Sequence, residues 1–247
     1  MSDKPLLPEH SSDDWSFFLW GGLASLLAGA VLYLVLSSPL GAGALGVLSK
    51  IFALDSVQTM WYITRASGLT GYFLLWLSTA WGLAVSSKIF DQLLHRTFTY
   101  DYHQFLSLLA IGFAILHILV LLLDRYLPYT LAQAFIPFLS PYRPIWVGIG
   151  VIGFYLILLV TVTFYLRSRI GQRAFRSIHL LSFAAYLGVT AHGFFAGTDS
   201  SLLFTQLLYG GTLLVVVFLT TYWLIYVLNK KLESIRRELR QIEQGRR

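Results

Sequence analysis

Residues 102–123 read YHQFLSLLAIGFAILHILVLLL, a run without a charged side chain that carries two histidines, His103 and His117. A typical bilayer core takes about 20 apolar residues per helix, so length and composition make this run a membrane span. Lipid supplies no partner for a ring nitrogen, and an ionisable group inside a span is costly, which marks both histidines as functional candidates. An interhelical hydrogen bond explains a lone membrane histidine equally well. It explains a regular set of them less easily.

Outward from this run, five further apolar stretches span roughly Trp15–Ser37, Met60–Ser86, Ile145–Leu166, Ala174–Ala196 and Ser201–Leu228. With 56% apolar and 12% charged residues in 247, the chain has the composition of a polytopic membrane protein. The expected fold is an all-α bundle of six transmembrane helices over residues 15–228, between an amino tail (1–14) and a basic carboxyl-terminal helix (229–247). An even number of spans puts both termini on one side, together with the loops 87–99 and 167–176. Of the 18 Lys and Arg, all but Lys50, Arg65, Arg125 and Arg143 lie on that side. The positive-inside rule then places both termini in the cytoplasm of an inner or plasma membrane. It also accounts for the net charge of +6 through lipid headgroups and topology, without nucleic acid.

The connection 124–144, with Pro128, Pro137, Pro141 and Pro144, and the segment 41–59 are expected to cap the outer face. The amino tail has no basic stretch leading into a short apolar run, so no cleaved signal peptide is expected. The carboxyl tail interleaves acids and bases at helical spacing, predicting an extension of the last helix. Gly148, Gly150 and Gly153 spell G-x-G-x-x-G, but they open a span and follow no strand; close helix packing is the better reading. The chain has no cysteine. Thiolate ligation of iron–sulfur clusters and covalent haem attachment through C-x-x-C-H are therefore excluded.

The fifth stretch also carries two histidines, His179 and His192. His103 and His117 are 14 residues apart, about 21 Å along a helix and close to four turns, so they share one face. His179 and His192 are 13 apart, about 19.5 Å. Both helices run outward, so His103 meets His179 near the cytoplasm and His117 meets His192 near the outside. Each pair of neutral imidazoles suits the two axial positions of one non-covalent b-type haem, two haems in all. The 13-residue spacing leaves His179 and His192 about 140° apart around an ideal helix, which predicts a distortion of the fifth span near Gly188 or haems approaching from different sides. Ala110, Ala185 and Gly188 leave room beside the rings.

Haem propionates need basic partners. Arg173 and Arg176, just cytoplasmic of His179, suit an inner haem. Arg65, near the outer end of the second span, suits an outer propionate or a polar substrate, since an unpaired guanidinium there would be expensive. His10 and His95 lie outside the spans and read as surface residues.

These features resemble the ferric reductase-like transmembrane family, which includes ferric reductases, the membrane domains of NADPH oxidases and standalone haem-binding members. The resemblance covers about Gln58 to Asp199. It rests on the unequal histidine spacings, the order of helices and the TRASGLTGYF segment starting at Thr64. It implies transmembrane electron transfer from a cytoplasmic reductant, through an inner and an outer haem, to an acceptor outside. The flavin and nicotinamide modules of the complete reductases are not found after the bundle, so a flavoprotein partner or membrane quinol is the expected donor. NADPH oxidases place a further histidine where this chain has Leu121, which argues against a dedicated superoxide-generating oxidase. The competing expectation is a haem-free channel or transporter whose histidines relay protons.

Overall fold

The computed structural model describes residues 37–51, 57–91, 93–124 and 127–245, with isolated positions between 23 and 35. The first expected span (15–37) lies almost wholly outside the described residues, as do the amino tail, His10 and Arg125. The chain divides into two compact units, residues 1–59 and 60–247. In the first, helix α1 (Pro39–Ile51) is described.

Around the second unit run α2 (Val57–Ser86), α3 (Arg96–Leu123), the short α4 (Leu131–Phe135), α5 (Pro144–Tyr165), α6 (Arg167–Ile170), α7 (Gln172–His179), α8 (Leu181–Ala196) and α9 (Leu203–Gly245). No strand occurs among the described residues. Five stretches are long and apolar enough to cross a membrane: Thr59–Ser86, Arg96–Leu123, Pro144–Tyr165, Gln172–Ala196 and Leu203–Gln244. At most 28% of the apolar window of any of them is buried inside the protein. Leu207 and Leu214 are 65% and 71% exposed, a placement that water would penalise and lipid accommodates. The chain is thus a multi-pass, all-helical protein that contacts lipid.

Hydroxyl side chains within these helices bond back to their own backbone, which satisfies them without water: Ser67 to the Ile63 carbonyl, Thr79 to Leu75, Thr190 to Tyr186 and Thr212 to Leu208. The core lies where α2, α8 and α9 meet. Tyr186 is fully buried, stacked near Tyr72 with ring centroids 6.2 Å apart, while Tyr72 packs on Tyr209 at 4.5 Å. The hydroxyls of Tyr72 and Thr212 bond one another, and the Trp76 indole N–H donates to the Thr212 carbonyl at 3.1 Å. Burying Tyr72 and Tyr186 is tolerable because their hydroxyls meet one another and Thr212.

Two expectations are refined. Helix α3 begins at Arg96, well before Tyr102, and the Trp81 indole donates to the Thr99 carbonyl in that added stretch. The fifth span divides into α7 and α8 at Leu180, directly after His179 and not at Gly188, with Leu180 itself in the right-handed helical region (φ −62°, ψ −22°). There the Leu180 N–H reaches the Arg176 carbonyl at 3.3 Å, and the Phe183 N–H bonds only three residues back to Leu180. The carboxyl tail extends the last helix: α9 runs unbroken from the apolar section through residue 245.

The connection between α3 and α5 is built rather than loose. Thr130 and Gln133 form a reciprocal capping box on α4, and the Tyr129 and Ser140 hydroxyls bond at 2.6 Å. Burial raises the Tyr129 hydroxyl pKa above its ordinary value. Arg143 adopts a left-handed conformation (φ 41°) ahead of Pro144, which starts α5. The glycines of G-x-G-x-x-G serve close packing: a Cβ at Gly153 would lie 2.8 Å from Val189 Cγ2, and Gly148 faces Phe138.

Candidate functional site

Helix α3 presents His103 and His117, and each ring rests against a glycine of α2. A Cβ built on Gly82 would lie 3.0 Å from His103 Cε1, and one on Gly68 would lie 3.0 Å from His117 Nδ1. The two glycines are 14 residues apart, the spacing of the two histidines on the antiparallel neighbour. On the other side, a Cβ on Gly150 of α5 would lie 2.6 Å from His192 Cγ and Nδ1. Three rings are thus seated on backbone where no side chain intervenes.

Their Nδ1 atoms are occupied. His117 Nδ1 lies 2.8 Å from the Thr64 carbonyl and His192 Nδ1 lies 3.0 Å from the Trp146 carbonyl. A carbonyl oxygen can only accept, so both rings carry their proton on Nδ1 and leave Nε2 as a bare lone pair. His103 Nδ1 pairs with the Ser78 hydroxyl at 3.2 Å, which is held in turn by Ser107 at 2.8 Å. This is the outer hydrogen-bonding pattern that orients metal-ligating imidazoles. His179 differs: its Nδ1 is buried without a hydrogen-bond partner among the described residues, and Phe175 packs on its ring at 5.3 Å.

His103 and His179 face each other with ring centroids 6.2 Å apart and planes at 75°. Metal–imidazole bonds are about 2 Å long, so two imidazoles sharing one metal ion sit with centroids about 6 Å apart. Among the described residues no three His, Cys, Asp or Glu converge as a metal-binding group. His103 and His179 stand at a separation that two ligands of one metal would have.

The basic residues fall into two groups. Arg173 and Arg176 are exposed on α7, without an ion-pair partner among the described residues. Arg65 is already engaged: its guanidinium bonds the Asp199 carboxylate and the Thr198 hydroxyl and lies 4.0 Å from the Trp61 ring centroid. The charge that the sequence leaves to a cofactor or substrate is met by a protein carboxylate, and an outer propionate would have to share Arg65 with Asp199. Nearby, Arg143 donates to the Phe195 and Gly197 carbonyls and Tyr142 to that of Ala196, fastening the end of α8. Surface residue His95 precedes α3 and makes no side-chain cap.

Sequence reading missed Gly68, Gly82 and Gly150 as partners of the histidines, and Thr64, Ser78 and Trp146 as holders of Nδ1. The equal spacing of Gly68–Gly82 and His103–His117 was the available signal; carbonyl acceptors leave none, because any residue type supplies them. No family model, curated protein or solved structure matches the chain.

Proposed function

We propose that the protein is a transmembrane electron conduit holding two b-type haems, one between His103 and His179 and one between His117 and His192. The observation that carries this reading is the His103–His179 pair at 6.2 Å, in which the Ser78 hydroxyl engages Nδ1 of His103. When bound, each haem supplies reversible one-electron chemistry between ferric and ferrous iron. The chain does the rest. Thr64 and Trp146 carbonyls hold His117 and His192 in the tautomer whose Nε2 is free, Ser78 orients His103, and the apolar helices keep the site dry. Arg173 and Arg176 are the inner propionate partners, and Arg65 the outer one, shared with Asp199.

In this proposal the first apolar stretch completes a six-span bundle with both termini in the cytoplasm of an inner or plasma membrane. Electrons enter from a cytoplasmic flavoprotein or a membrane quinol and leave to an acceptor outside, as in the ferric reductase-like family that the sequence resembles. Histidine-to-alanine substitution at each of the four positions, read by pyridine haemochrome content of detergent-purified protein, tests the assignment. Each variant should lose one haem or destabilise both. Unchanged haem content in all four rejects it, and a colourless wild type that takes up no added haem turns the reading to a histidine proton relay.

A further inference from the structure

Beyond its apolar section, α9 continues as NKKLESIRRELRQIEQG (residues 229–245), and this outer part carries Leu232, Ile235, Leu239 and Ile242. Their spacing of three, four and three is a heptad seam, and it extends the line of Ile225 and Leu228 from the span. All six are 43–58% exposed. Among the described residues no segment covers them: Lys88 borders a different face, with Tyr226, Lys230, Glu233 and Arg237. A helix that runs unbroken out of a span projects away from the bilayer, so lipid does not cover Leu232, Ile235, Leu239 and Ile242 either.

The flanking charges say what does. In heptad terms, Leu232 and Leu239 are a positions, Ile235 and Ile242 are d positions, Lys231 and Glu238 are g, and Arg236 and Glu243 are e. Two copies emerging side by side from one membrane would be parallel and in register. Each g residue would then meet the next e residue of its neighbour: Lys231 against Arg236, and Glu238 against Glu243. Every such contact joins like charges, which disfavours a second copy.

We infer that the α9 extension is the docking strand for a partner helix of a different protein, parallel to it, with its own apolar seam flanked by acids opposite Lys231 and Arg236 and by bases opposite Glu238 and Glu243. This inference does not depend on the haem assignment. A direct probe is a synthetic peptide of residues 225–245 carrying Lys231→Glu, Arg236→Glu, Glu238→Lys and Glu243→Lys, titrated by fluorescence anisotropy against the full-length protein in nanodiscs. The complementary peptide should bind at least tenfold more tightly than the unaltered one. Leu232→Asp with Leu239→Asp in the full-length chain should abolish binding while circular dichroism stays unchanged. Equal or tighter binding of the unaltered peptide, or covalent dimers through Leu239→Cys, would make a second copy the occupant and overturn the inference. So would failure of both peptides to bind, or binding that survives the two aspartates.

Discussion

His192 and Gly150 show how little room the proposed ligand has. A methyl group on Gly150 would intrude to 2.6 Å from the imidazole, against 3.0 Å for Gly68 and His117. Gly150→Ala must displace the ring or part α5 from α8, a cost of about 1–3 kcal/mol for overpacking. It should lower haem content and thermal stability more than Gly68→Ala, measured by reduced absorption spectra and a melting scan of the same preparations. At Arg65 the relevant quantity is the pair. Its side chain is 20% exposed and that of Asp199 34%, so solvent still screens the bridge, and a double-mutant cycle with alanine should return about 1 kcal/mol or less. A larger loss of outer-haem binding in Arg65→Ala than in Asp199→Ala would identify the arginine as the propionate partner.

Among the helices, α5 and α8 pack through small residues, and the two relevant glycines are not equivalent. A Cβ on Gly153 meets Val189 Cγ2 at 2.8 Å, whereas one on Gly188 meets Ile149 Cγ2 at 3.4 Å, an ordinary contact. Gly153→Ala should destabilise the pair; Gly188→Ala should be neutral or stabilise by up to about 1 kcal/mol through helix propensity, as read by thermal melting in detergent. The same region shows what a sequence can and cannot disclose. Helix periodicity placed all four histidines on two spans and predicted that a straight fifth helix would misalign His179 and His192. It could not place the discontinuity at Leu180, because that residue has no breaker chemistry and the local change is one three-residue backbone bond, from the Phe183 N–H to the Leu180 carbonyl. Likewise, an arginine in a span signals a counter-charge, but nothing in the local sequence says that Asp199, far along the chain, provides it.

Taken as one object, the molecule is legible from its hydrophobic pattern: five of the expected spans coincide with apolar helices, and their outward faces need lipid. The exposed extension of α9 was legible as a continuation of the last helix, because its acids and bases interleave at helical spacing. Its ion pairs, Lys230 with Glu233 at 3.5 Å and Arg237 with Glu233 at 3.6 Å, are solvent-exposed; Glu233→Gln should shift the melting temperature negligibly. The central claim concerns what the bundle holds. Haem-to-protein stoichiometry, combined with a reductive spectroscopic titration of the detergent-purified full-length chain, tests it most directly. The account predicts two haems per chain, both low-spin with bis-histidine spectra. A preparation that contains no haem, and takes up none when haem is supplied during expression, would contradict it.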